Sequence, residues 1–351
     1  MRRNAARIVI ALAALAGSLS APALALALDL GSPLRGGDVV VRRGAQLSVY
    51  RPGAGAKPVA RVALRLVGSK ADHFAGGLAV SPRGDLFVPV KPKTNQIEMV
   101  PAGRARSRSV VTFPERSRDW HYVTAALAPT NASLLVVTTG GVLHRYARRG
   151  GEFEKTGERN VVGVEVHGGT LVDLPSDDHV LLTVNCADPA GNVFVIRVSD
   201  MRVVSTLGDE LAIFARPSAA VFVPVSRPFL AVSSGRLRGD GSKNAHHLVA
   251  LGWDDAIKAL TPPVKANRPD GMACSLVTNS NEKNGWLAQF GACAYDTAQR
   301  RVLVSSNTPR GGRSLYAVPA DRLARGGLTM ADLTPLFERG GRNVVVVPAH
   351  D

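Results

Sequence analysis

The chain has 351 residues, of which 45% are hydrophobic and 20% charged, enough to bury a substantial core as one large domain or two ordinary ones. Lysine and arginine outnumber aspartate and glutamate by 43 to 28, a net charge of +15 that favours anionic partners such as polysaccharide, phosphate or a lipid surface. No basic helix or aromatic-basic stripe accompanies this charge, which argues against nucleic acid, and no second apolar run of about 20 residues follows the first, which argues against membrane insertion.

The first element is "MRRNAARIVIALAALAGSLSAPALALA". Arg2, Arg3 and Arg7 precede an apolar run that ends in small residues, with Ala25 and Ala27 at −3 and −1 of a cleavage point. Residues 1–27 are therefore expected to be a secretory signal, and 28–351 a soluble, monomeric domain in the periplasm or secreted medium. The Arg2-Arg3 pair fits twin-arginine export poorly, given Asn4, Ala5 and Ala6 behind it. No cysteine follows the cleavage point, so a lipid anchor is not expected. Removing this segment leaves about 324 residues and lowers the net charge to about +12, because it carries three arginines and no acid.

From residue 38 onward the apolar segments are short, valine-rich and bounded by Gly, Pro, Asn or Asp. "GDVVVRRG", "QLSVYRPG", "DLFVPV", "SLLVVTTG", "NVFVIRV" and "RVLVSS" read as antiparallel strands, and the chain as all-β. Helical periodicity is confined to "WDDAIKAL" (253–260) and "PADRLARG" (319–326). The strands recur as a unit. "HFAGGLAVSPRGDLFV" from His73, "HYVTAALAPTNASLL" from His121 and "HGGTLVDLPSDDHVL" from His167 each place a histidine thirteen residues before an apolar strand residue, at intervals of 48 and 46. Gln289 begins a fourth copy, Arg216 a less regular fifth, and an irregular insertion spans about 235–288.

Periods of 40–50 residues with about four strands each predict a β-propeller. Residues 38–65 offer three strands and 342–351 one more, so pairing of the N- and C-terminal strands would complete a blade and remove an open edge. The count is six blades, or seven if 240–288 hides another. A β-sandwich would not produce the repeated spacing, and two domains would need a linker, for which "ALTPPVKANRPDG" (259–271) is the candidate.

In a propeller the innermost strand of each blade lines a central channel, so His73, His121 and His167 are expected to converge at one mouth. Three imidazoles suit a divalent transition metal, zinc or copper above all, with an open position for water, carboxylate or substrate. Asp72 could add an oxygen or orient an imidazole. Arg216, Gln289 and Arg310 are candidates for holding a small anionic ligand, and Lys91, Lys93 and Arg313 lie in loops expected on the same face. His179 falls at the opposite end of its hairpin, and His144 lies within a third strand. "SPRGD" and Asp177-Asp178 are explained by tight turns. Three cysteines, Cys186, Cys274 and Cys293, leave at least one unpaired; Cys274 and Cys293 could close a loop in an oxidising compartment. G-x-S-x-G, H-E-x-x-H, G-x-x-x-x-G-K and C-x-x-C motifs are absent.

Through its architecture over residues 38–351, and through phrases such as "GGLAVSPRGDLFV", the chain resembles exported bacterial β-propellers, among them sugar-acid lactonases, YncE-like proteins and periplasmic zinc-chaperone propellers. The lactonase branch implies an acidic, asparagine-rich metal site, from which the histidines here depart; the zinc-chaperone branch implies histidines and a long His/Asp-rich loop. Two main functional classes follow: a binding protein for a metal or anion at the channel mouth, and a metal-dependent hydrolase or lyase. A propeller that only scaffolds protein interactions is a third.

Overall fold

The computed structural model describes residues 27–65, 77–90, 95–113, 126–129, 133–138, 140–163, 166–174, 178–186, 193–207, 217–234, 246–254, 259–261, 275–278, 290–307, 313–325, 328, 332–337, 341 and 343–349. Blade 1 takes β1 (Val39–Arg43), β2 (Gln46–Tyr50) and β3 (Ala60–Ala63). Blade 2 is β4 (Ala79–Val80), β5 (Leu86–Val90), β6 (Asn95–Val100) and β7 (Arg108–Phe113). Blade 3 is β8 (Ala126–Pro129), β9 (Ser133–Val137), β10 (Val142–Arg149) and β11 (Glu152–Asn160). Blade 4 is β12 (Val166–Asp173), β13 (His179–Cys186), β14 (Val193–Arg197) and β15 (Arg202–Leu207). Blade 5 is β16 (Pro217–Val223), β17 (Phe229–Ser234), β18 (His246–Asp254), β19 (Ala259–Thr261) and β20 (Ser275–Thr278). Blade 6 is β21 (Phe290–Asp296), β22 (Arg301–Asn307), β23 (Arg313–Pro319), the short helix α1 (Ala320–Arg325) and β24 (Thr334–Phe337). The last strand, β25 (Asn343–Val346), returns to blade 1 and pairs antiparallel with β1, from Val39↔Val346 to Arg42↔Asn343. The molecule is a closed six-bladed propeller whose ends share a sheet.

The valine-rich runs form strands because both their faces are covered. All five residues of β5 are buried, and four of five in β9, whereas the outer strands β3 and β11 are half-buried or exposed. Successive residues of one strand serve different neighbours. Leu134 and Val136 join the core between blades 2 and 3, and Leu135 and Val137 the core between blades 3 and 4. In the same way Val39 and Val41 face blade 6 while Val40 faces blade 2. Six apolar clusters result, one at each blade junction. Each fully buried leucine, isoleucine or valine contributes about 1.5–3 kcal/mol, so the ring rests on these wedges.

The turns joining inner to second strands define the lower face. Within "SPRGD" Ser81 Oγ accepts from Asp85 N at 3.0 Å, Gly84 N donates to the Ser81 carbonyl at 2.8 Å, and Gly84 has φ +82°, a conformation that favours glycine. Asp85 then accepts from Ala102 N and pairs with Arg148 of blade 3 at 3.3 Å. Asp178 accepts from Ser199 N and Oγ at 2.8 and 2.9 Å, so it and Asp85 serve turns, as the sequence indicates, while Asp177 lies outside the described residues.

The count of six blades holds, and one local reading is corrected. The stretch 240–288 holds no seventh blade among its described residues, because β18 pairs with β19 along one half and β20 along the other, and both lie in the sheet of blade 5. Both ends of "WDDAIKAL" are strand rather than helix: Trp253↔Leu260 and Asp254↔Ala259 are cross-strand pairs, and Trp253 is buried between blades 4 and 5, while 255–258 lie outside the described residues. Burial of the indole outweighs the weak helical period. The other helix forms as read, with Leu323 buried against blades 5 and 6. Cys293 is buried with its sulfur 3.7 Å from the Ala231 carbonyl, while Cys274 and residues 1–26 lie outside the described residues.

Closure and burial give two testable outcomes. A Cβ at Gly341 would collide with the Arg42 carbonyl oxygen and the Val41 side chain, beside the β1–β25 seam. Gly341→Ala should lower stability by about 2 kcal/mol or more in denaturant titrations. His144 is 2% exposed, between Phe113 and Tyr146, and its imidazole is pushed down to about 4, first by burial, then by Lys155, with Glu158 opposing. The unfolded state takes up this proton near pH 6.5 and the folded state only near 4. Stability should therefore be unaffected by His144 above pH 6.5 and fall by about 3 kcal/mol as pH drops to 4. His144→Gln should remove that portion of the acid sensitivity, measured as stability against pH.

Candidate functional site in the channel

Strands β4, β8, β12, β16, β21 and β25 stand next to one another in a ring. Each pairs only outward, to the second strand of its blade, so its other edge faces the lumen. They enclose a cavity of about 450 Å³. Its walls are largely apolar, with Leu78, Leu171, Val221 and Val345 among them. Connections from each blade to the next reach the inner strands at the upper face, opposite the turns described above.

One lower ring can be read from the pairing register. Leu86, Leu134, Val180 and Val302 each turn toward the preceding blade, and their inner-strand partners are Val80, Pro129, Asp173 and Tyr295. Leu230 and Val39 supply the equivalents in blades 5 and 1, opposite Phe222 and Val346. Five of these six partners are uncharged. The sixth, Asp173, lines the cavity, and no lysine, arginine or histidine lines it among the described residues. Enclosure by the channel walls pushes the Asp173 carboxyl up to about 7, although the side chain remains open to the lumen, and water there screens part of the cost. The sequence signal for this group is an aspartate where every other blade has an uncharged residue, and it becomes visible only once the register is known.

The expected site residues fall as follows. His73 and Asp72 precede β4, His121 precedes β8, Arg216 and Gln289 immediately precede β16 and β21, and Arg310 lies between β22 and β23; all six are outside the described residues. His167 is placed by its backbone as the second residue of β12, inside a bulge where Val166↔Cys186 gives way to Gly169↔Val184. Gly169 is required there, because a Cβ would run into the Thr183 carbonyl. Among the described residues no group of three or more potential metal ligands is assembled.

Register also shows what the thirteen-residue spacing measures. It spans an inner strand and a turn, and the turns differ: His73 stands seven residues before Val80, His121 eight before Pro129, and His167 six before Asp173. Each residue of stagger is about 3.3 Å along a strand. In blade 5, counting thirteen on from Arg216 reaches Phe229, which faces blade 6, so Arg216 is one residue out of step with the histidines. Gln289 is in step. At the upper end of blade 1, Arg42 is buried opposite Asn343, its guanidinium pushed down to about 10 by that burial.

No protein-family model and no curated protein matches the chain. Among solved structures, a functionally unknown protein from Desulfotomaculum acetoxidans is 11% identical, with a TM-score of 0.50 over 86% of this chain and 99% of that one. A protein from Lactobacillus plantarum is 16% identical, with a TM-score of 0.50 over 87% of this chain and 82% of that one. At such identities the likeness shows the fold alone.

The lumen carboxyl carries its own pH signature. Because folding raises the Asp173 pKa, the folded state keeps its proton longer than the unfolded state, and the associated stability falls as pH rises from about 4 to about 7. Asp173→Asn should remove this loss, so melting temperatures should show the variant gaining on the native protein between pH 4 and pH 8.

Proposed function

We propose that this propeller is an exported binding protein that holds one divalent transition metal, zinc or copper, at the upper mouth of its channel through His73, His121 and His167. The observation that carries the reading is topological. His167 is the second residue of β12, and His73 and His121 precede β4 and β8 in the chain; these are neighbouring inner strands of one ring, so residues 48 and 46 apart in sequence would share one sector of the mouth. A stagger of one or two residues is compatible with a common ion, because imidazole ligates through either ring nitrogen and has two side-chain torsions to adjust its reach.

Two further features support this choice. The ionisable group lining the described lumen is the Asp173 carboxyl, which in its ionised form, above about pH 7, favours entry of a cation over an anion. Asp72, adjacent to His73, is available to orient an imidazole. Basic residues of the upper loops, Arg310 among them, together with Arg216 and Gln289, would hold a small anion that completes the coordination sphere. No described helix is long and apolar enough to cross a membrane.

Chelator-stripped protein titrated with zinc or copper should take up about one equivalent by calorimetry. His121→Ala should abolish that uptake without shifting the melting temperature of the metal-free protein. Undiminished uptake by the variant would overturn the three-histidine site.

A further inference from the structure

From the N-terminal strap we infer a processing site and the group that receives its product: cleavage between Ala27 and Leu28 would create an α-ammonium at Leu28 that pairs, through Ser107, with the buried carboxylate of Glu98. The inference rests on the export reading for the protease, but the receiving site is built from described residues.

Leu28 is buried and Ala27 beside it is exposed. Leu28 N donates to Ser107 Oγ at 2.6 Å, and Ser107 Oγ donates to Glu98 Oε2 at 2.7 Å. The return bond, from Ser107 N to the Leu28 carbonyl at 2.8 Å, fixes the strap in place, and Leu30 N adds a bond to the Ala105 carbonyl at 2.8 Å. Asp29 forms a bridge with Arg106, whose guanidinium pairs with its carboxylate at 3.1 Å. Leu28, Leu30 and Leu34 complete the core between blades 1 and 2. The strap is thus anchored at the very residue that the small-residue pattern Ala25, Ala27 marks as the first after cleavage.

Glu98 is the anomaly that this arrangement resolves. It is 2% exposed in β6, and no described cation pairs with it; burial holds its carboxyl above the ordinary range, with the Ser107 hydroxyl opposing. An uncompensated buried carboxylate is costly, and a cation within two hydrogen bonds relieves it. In the uncleaved chain the Leu28 nitrogen is an amide and supplies one N–H. Hydrolysis of the Ala27–Leu28 bond consumes one water, leaves a carboxylate on Ala27, and gives Leu28 an amine that takes up a proton near neutral pH. The ammonium has three N–H donors and a full charge at the head of the Ser107–Glu98 chain.

The test has two arms. In the first, protein recovered from the exported fraction of cells expressing the full chain should begin at Leu28 by N-terminal mass spectrometry; exported protein beginning elsewhere would overturn the processing site. In the second, chains beginning at Leu28 and at Ala27 are released from a cleavable fusion, each with and without Glu98→Gln. The Leu28 form should melt on the order of 2–4 °C higher than the Ala27 form when Glu98 is present, and the gap should vanish in Glu98→Gln. Its amine should also label with an amine-reactive reagent at least about tenfold more slowly than that of the Ala27 form, as expected for a buried, hydrogen-bonded group. A gap that survives Glu98→Gln, or equal labelling rates, would overturn the pairing. Retention inside the cell would overturn the export reading and with it the processing step, while the second arm still decides the amine site.

Discussion

Ring closure is the constraint on which everything else depends. A set of wedge-shaped sheets buries its faces only if every sheet has a neighbour on both sides, and an unclosed ring would leave two apolar faces in water. Here the last wedge is made by both ends of the chain: β25 supplies the channel-lining strand and β1 to β3 the rest. The seam consists of four backbone pairs, with Val344 on the junction with blade 6 and Val345 packed toward blade 2. Loss of this short pairing would expose the faces of two junctions at once, so a local defect at Gly341 or in β25 has a global consequence.

The lower face complements the seam with directional contacts. Arg148 reaches from blade 3 to Asp85 of blade 2, and Arg145 of blade 3 donates to the carbonyls of Val198 and Ser199 in blade 4. Arg108 of blade 2 donates to the Gly151 carbonyl and Glu152 of blade 3. The exposed Arg108–Glu152 pair contributes about 0–1 kcal/mol, far less than an apolar junction. The effect of these contacts is on geometry: guanidinium groups that bridge adjacent blades fix the height of one sheet against the next, and with it the level of the channel-lining residues.

Much of this architecture is legible in the sequence, because propeller repeats leave three traces at once: a 46–48-residue period, valine-rich runs buried on both faces, and orphan strands at the two ends. What was not legible has a common cause. The thirteen-residue spacing adds an inner strand to a turn, and a sequence does not partition that sum; only the pairing of Val80 with Leu86, Pro129 with Leu134 and Asp173 with Val180 does so. The outer strand of blade 5 was missed because it is divided between β19 and β20, two pieces of three and four residues that share β18. Asp173 is inconspicuous in the sequence for the same reason as the stagger, since its oddness is relative to residues one blade away.

A physical asymmetry between the two faces follows from the topology. The turns of the lower face are bound to the fold by the Asp38–Arg51, Asp85–Arg148 and Asp296–Arg301 pairs and by the N-terminal strap, so substitutions there act on stability. The described inner strands run toward these turns, so each begins at the opposite end of the channel. The strap from Leu28 to Leu34 belongs to the same face as the turns: its leucines complete a core, its aspartate holds an arginine of the neighbouring turn, and its Leu28 N–H donates to Ser107, which donates to the buried Glu98.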